Sequence, residues 1–174
     1  MSEERSIDEM PLSNIQWVDV EKLSANDYNP NVVLTKELKL LQLSLLKNGW
    51  IQPVLITKEY RIIDGFHRST LCKINPEVNA MTGGKVPCVV LDLSAPERIM
   101  LTVRINRAKG NHIALKMNKL VQELVNVYGL SVKVVAENIG ATEKEIELLL
   151  NDNVFDKYEL TEESLYSEAW KIKE

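Results

Sequence analysis

The stretch Asp64-Gly65-Phe66-His67-Arg68 decides how this chain is read. It follows a strand-like run, Tyr60 to Ile63, and leads into a segment, Ser69 to Ile74, that reads as a helix. A glycine at a strand-to-helix turn lets the backbone approach a ligand closely, because no Cβ stands in the way. The helix start beyond it presents N–H groups without intrahelical partners and the positive end of the helix dipole, and both favour an anion. His67 and Arg68 add positive charge, and a guanidinium can grip two oxygens at once. These five residues therefore have the chemistry of a phosphate cradle. Asp64, at the end of the strand, could hold magnesium, bind a hydroxyl or act as a base. The same residues also fit a tight turn whose histidine and arginine form surface salt bridges, and spacing alone leaves both readings open.

Composition narrows the setting. With 174 residues, 45% of them hydrophobic and 26% charged, the chain is long enough for one well-cored domain plus a small appendage. No apolar run has the length that a membrane span needs, and the N-terminal MSEERSIDEM lacks the apolar core of a signal peptide. Cys72 and Cys88 show no metal-ligand spacing and are expected to stay reduced, so a cytoplasmic location is expected. His67 and His112 are too few for a histidine-rich zinc site, and no bound metal is expected from the protein's own side chains.

Charge is unevenly spread. Residues 141–174 carry ten acidic and four basic side chains, whereas the rest of the chain carries fifteen acidic and seventeen basic ones. The C-terminal part is thus poorly suited to attracting an anion.

Along the chain, residues 1–14 read as a flexible arm and Ile15 to Val20 as a strand. A turn-rich stretch, Asn26 to Asn31, comes before Thr35, a good N-cap. Leu38, Leu41 and Leu45 recur at helical spacing, and Asn48-Gly49 ends that helix. Val54–Thr57 and Tyr60–Ile63, separated by Lys58-Glu59, suggest a hairpin-like strand pair. Asn75 to Lys85 reads as a loop and Val86 to Leu91 as a further strand. Ser94 and Glu97 form a capping box for a helix over Ile99 to Ile105, followed by a basic, polar segment to Asn111. Met117, Leu120, Val121, Leu124, Val125 and Tyr128 fall on one face of a helix closed by Gly129. Ser131 opens a short helix to Asn138, Gly140 makes a turn, and Thr142 with Glu145 caps a last helix near Leu150.

The order of these pieces resembles the ParB N-terminal domain and its sulfiredoxin-like relatives. The match runs through Asn29-Pro30, Lys47-Asn48-Gly49, Ile51-Gln52-Pro53, Ile62 to Arg68, Val86-Pro87 and Asn106-Arg107, covering about residues 15 to 150. The resemblance implies an α/β fold: a small mixed sheet with helices, plus a C-terminal helical, helix-turn-helix-like subdomain. It divides the chain into an arm (1–14), a nucleotide-binding domain (15–110), a helical subdomain (111–152) and an acidic, aromatic tail (153–174). It further implies that Gly65, His67 and Arg68 contact the phosphates of a nucleotide. Asn106 and Arg107 would form a second phosphate-facing box, and Gln52 would lie near the base or sugar. The ligand would be a nucleoside triphosphate or diphosphate such as ATP, ADP or CTP, with or without Mg2+.

Three departures from these relatives sharpen the reading. Partition proteins carry a magnesium-binding glutamate where this chain has Ile105, which weakens metal-assisted hydrolysis. Sulfiredoxins carry a reactive cysteine where this chain has Phe66, and without that nucleophile sulfinic-acid repair is excluded. The Asp-Gly-x-His-Arg form is closest to ParB-like free serine kinases, but their catalytic glutamate has no matching motif here. Asp64 is then the one candidate catalytic acid beside the phosphates.

Residues 131–150 fit a helix-turn-helix pattern, at the position where ParB proteins carry their DNA-reading module. Its second helix bears Glu143, Lys144, Glu145 and Glu147, a poor match for a polyanion, so packing on the core or on a partner is the favoured role. The tail, with Phe155, Tyr158, Leu160, Leu165, Tyr166 and Trp170 among acids, suits a protein-docking segment or one folded back on the core. The expected function is a bacterial or phage nucleotide-binding regulator that controls a protein or DNA partner. ParB-like coactivators of the IbrB type, often paired with an enzyme of the phosphoadenosine-phosphosulfate reductase type, are similar at this level. A nucleotide-dependent kinase or NTPase using Asp64 is the alternative, and a sequence-specific DNA-binding regulator the third.

Overall fold

The computed structural model describes residues 6–24, 36–108 and 114–151. The readings made at Asn29-Pro30, Thr35, Lys109 to His112 and the aromatic tail lie outside the described residues. Two compact units make up the chain, Met1–Leu93 and Ser94–Glu174.

In the first unit, four strands form one mixed sheet: β1 (Ile15–Asp19), β2 (Val54–Thr57), β3 (Ile62–Asp64) and β4 (Lys85–Leu91), in the order β1-β4-β2-β3. β1 runs antiparallel to β4, with Ile15 opposite Val89, and β2 runs parallel to β4, with Val54 opposite Cys88. A parallel pair needs a crossover, which β3 and the helices after it supply. β2 and β3 are the expected antiparallel pair, with a bulge between Leu55 and Ile56. Their connection is longer than Lys58-Glu59, because Tyr60 adopts a left-handed conformation (φ 61°) and extends the turn to Arg61. Ser24 bridges to Arg61 at the β3 edge.

Three helices accompany the sheet: α1 (Lys36–Asn48), α2 (Phe66–Ile74) and α3 (Pro76–Ala80). Val54 and Ile56, like Val86 and Cys88, occupy alternate strand positions and so share a face. They are fully buried with Leu38 and Leu45 of α1, Leu71 and Cys72 of α2 and Val78 of α3 in one apolar core. Within the expected arm, Ile7–Glu9 and Pro11–Ser13 each form a single 3-10 turn.

Two further expectations for this unit are corrected. Helix α2 begins at Phe66 rather than Ser69, because Gly65 makes the whole strand-to-helix turn in one left-handed residue (φ 93°, ψ 20°). The stretch from Asn75 to Lys85 is not all loop. The Asn75 side chain accepts hydrogen bonds from the N–H groups of Glu77 and Val78, both at 3.0 Å, and Pro76 stands at the first helical position. Asn-Pro therefore ends one helix and starts the next.

The second unit is helical in its described residues: α4 (Ala95–Ala108), α5 (Ala114–Gln122), α6 (Val132–Ile139) and α7 (Glu143–Leu150). Glu97 accepts the Ser94 N–H at 2.8 Å, as the capping box requires. Helix α4, however, continues three residues past Ile105, so Asn106 and Arg107 lie in its last turn rather than in a polar segment after it. Ile99, Met100 and Val103 of α4 are buried with Met117, Val121 and Leu124, and with Val135, Ala136, Ile139, Ile146 and Leu149. The expected face of α5 holds as far as Val125, which packs against this core with Leu120. Beyond Gln122 the helix widens into a π turn over Glu123–Val127, which rotates the following residues and leaves Tyr128 exposed.

Ser131 and Thr142 cap α6 and α7 by accepting from the N–H groups of Val134 (3.3 Å) and Glu145 (3.2 Å), and Gly140 closes α6 at φ 67°. Asn118, buried in α5, donates from its side chain to the Leu149 carbonyl and ties α5 to α7.

Candidate anion-binding site

The sequence around Gly65 builds a helix end with a specific architecture. Asp64 is the last residue of β3, Gly65 occupies the N-cap position of α2, and Phe66, His67 and Arg68 form its first turn. Glycine is required here on two grounds. Its φ of 93° lies where other residues are strained, and a Cβ would meet Val54 Cα and Cγ2 at 3.2 Å and Arg68 Nη2 at 3.3 Å. As a glycine, the N-cap residue has no side chain of its own to accept from the first-turn N–H groups. Ser69 closes the first turn, its N–H donating to the Gly65 carbonyl at 3.1 Å and its hydroxyl to the Phe66 carbonyl at 2.8 Å.

Arg68 is held from three sides. Nη1 donates to the carbonyl of Gln52 at 2.8 Å and to that of Pro53 at 3.0 Å. Nη2 donates to Asp64 Oδ2 at 3.3 Å, forming an ion pair whose side chains are only 11% (Arg68) and 20% (Asp64) exposed. Burial pulls the Arg68 pKa below its ordinary value, while the Asp64 carboxylate pushes it back up. The guanidinium keeps its charge all the same, since arginine does not lose its proton in proteins.

His67, one residue earlier, is exposed, and its ring meets that of Phe66 edge-on at 5.8 Å. Phe66 packs on the core and anchors the turn. The Gln52 side chain is exposed while its carbonyl is fixed by Arg68.

The structure thus joins Gln52, Asp64, Gly65 and Arg68 by direct contacts, with His67 beside them on the same turn. Asp64 takes part as the counter-ion of Arg68. Asn106 and Arg107 belong to the second unit. Arg107 donates there through Nη1 to Glu145 Oε1 at 2.7 Å and through Nη2 to the Gly140 carbonyl at 3.1 Å, tying α4 to the α6–α7 turn. Sequence reasoning missed the acceptors of Arg68 because they are main-chain carbonyls, which residue identity does not advertise. Among the described residues, no three His, Cys, Asp or Glu side chains gather as a metal site would need. Among them, too, no helix is long and apolar enough to cross a membrane.

The profile of the ParB N-terminal domain matches residues 4–106, and the chain belongs to that family. Over 169 residues it is 34% identical to the uncharacterized protein YbdM of Escherichia coli (strain K12), covering 95% of this chain and 79% of that one. It is 23% identical over 149 residues to the probable chromosome-partitioning protein ParB of Rickettsia bellii (strain RML369-C), covering 85% of this chain and 50% of that protein's length. The solved pNOB8-like ParB N-domain is 16% identical, with a TM-score of 0.57 over 86% of this chain and 69% of that one. This likeness shows the α/β fold.

Proposed function

We propose that the chain is a ParB-like regulator that binds a nucleoside phosphate at the Gly65–Arg68 helix end and thereby controls a partner. One observation carries the reading: Gly65 turns β3 into α2 in a single left-handed residue with no side chain, so that an anion can approach the backbone at the start of α2 closely, beside the exposed His67. A phosphate suits such a helix start, because the positive end of the helix dipole favours an anion. Family membership supports the same reading through the resemblance at Gly65, His67 and Arg68.

The partner proposed is a protein, with an enzyme of the phosphoadenosine-phosphosulfate reductase type as the first candidate. Relatives are named as chromosome-partitioning proteins, which keeps DNA in view. The described surface favours protein: α7 exposes Glu143, Glu147 and Leu148 beside the single Lys144. Asp64 as a catalytic acid is the weaker reading, because its carboxylate already serves Arg68.

The test is a thermal-stability screen of the intact chain with ATP, ADP, CTP, GTP and phosphoadenosine phosphosulfate, each with and without Mg2+. A ligand at a hundred times its dissociation constant is expected to add about 2.7 kcal/mol of stability. No shift with any of them would overturn the reading.

A further inference from the structure

We infer that Arg68 is a positioning residue for Gln52. It fixes the Gln52–Pro53 backbone against the first turn of α2, so that the exposed Gln52 carboxamide is held ready to read the nucleoside part of a bound ligand. This rests on the phosphate reading of the helix end and assigns separate tasks to the residues around it.

The geometry carries the assignment. A guanidinium free to grip phosphate would present its paired nitrogens outward. Here both Nη1 hydrogens reach successive carbonyls, those of Gln52 (2.8 Å) and Pro53 (3.0 Å), and Nη2 is drawn to Asp64. The group lies directly against Gly65, where a Cβ would come within 3.3 Å of Nη2, and its side chain is 11% exposed. Arg68 therefore ties together three pieces: the end of β3, the first turn of α2 and the entry to β2.

Gln52 is the residue whose placement these bonds determine. Its carbonyl is immobilised by Arg68, yet its side chain faces solvent. A carboxamide carries both donors and an acceptor, which suits the amino, carbonyl and ring-nitrogen edges of a nucleobase or a sugar hydroxyl. A lysine in place of Arg68 keeps the charge but lacks the planar fork needed to hold two successive carbonyls and a carboxylate together.

A double-mutant cycle on nucleotide affinity tests this, using the best-stabilising nucleotide and Arg68→Lys, Gln52→Ala and the pair. Arg68→Lys is expected to weaken binding about tenfold in the native background and by less than about threefold once Gln52 is alanine, since residues acting as a unit are non-additive. Equal losses in both backgrounds would overturn the inference and make Arg68 a direct phosphate ligand.

Amide hydrogen exchange without nucleotide gives an independent readout. Residues 51–55 should exchange faster in Arg68→Lys and unchanged in His67→Ala, and native-like exchange in Arg68→Lys would also overturn the inference. If Arg68→Lys does not fold, Asp64→Asn, which releases the guanidinium on one side only, replaces it in the cycle with the same expected non-additivity. Absence of any nucleotide binding by the native chain would instead remove the phosphate reading itself, a result distinct from equal losses in the cycle.

Discussion

Arg107 and Glu145 meet across 38 residues of sequence: Nη1 in the last turn of α4 donates to Oε1 in the first turn of α7 at 2.7 Å. The Arg107 side chain is 19% exposed and that of Glu145 41%, so the pair is partly shielded from water. Arg107 also satisfies the carbonyl of Gly140, where α6 ends and the turn begins. Arg107→Ala should therefore destabilise the protein by about 1 kcal/mol, a fall of roughly 2–4 °C in melting temperature. The check is calorimetry on the variant and the native chain. A nucleotide affinity lost without any loss of stability would instead give Arg107 the ligand-contacting role its motif suggests.

Gly65→Ala tests the turn itself. The variant must hold φ near 93° and fit a methyl against Val54 and Arg68 Nη2, at a combined cost of about 2–3 kcal/mol. Gly49→Ala is the control, because its φ of 74° is strained but nothing lies within 4 Å of the added carbon. Urea denaturation should place Gly65→Ala well below Gly49→Ala in midpoint, and equal midpoints would contradict the close packing at Gly65.

Alkaline pH should weaken the fold through the buried thiols. Burial pushes Cys88 from 9.0 up to about 11, and Cys72 is raised by burial as well. The folded state keeps the Cys88 proton while the unfolded chain releases it near pH 9, so the contribution is complete below that pH. Stability then falls between about pH 9 and 11, by roughly 2–3 kcal/mol for a two-unit shift. Denaturation midpoints across this range should fall less steeply for Cys88→Ala than for the native chain. In the folded protein at neutral pH, both thiols should react slowly with a disulfide reagent.

The exposed acids of α7 predict weak affinity for nucleic acid. At low salt the chain should show no measurable binding to random duplex DNA. Binding with a steep salt dependence would show that cationic groups outweigh Glu143 and Glu147.

Much of the fold was legible in residue pattern. β2 falls on Val54–Thr57 as read, Ser131 and Thr142 cap α6 and α7 through their side chains, and Gly140 closes α6 in the left-handed conformation that suits glycine. The misses have physical reasons. Asn75-Pro76 was read only as a stop, although the same side chain caps α3. The π turn at Glu123–Val127 breaks a 3.6-residue period that sequence alone continues through Tyr128. At the site, the glycine, histidine and arginine advertised an anion. The partners that hold Arg68 are carbonyls of Gln52 and Pro53, brought near only by the folding of β2 against α2.

The most direct measurement is a calorimetric titration of the intact chain with the nucleotide that stabilises it most, alongside His67→Ala. Saturable one-to-one binding is expected, weakened about tenfold by the loss of one charge-assisted contact in His67→Ala. No binding to the native chain, or the same affinity in both proteins, would contradict a phosphate site at the Gly65–Arg68 helix end.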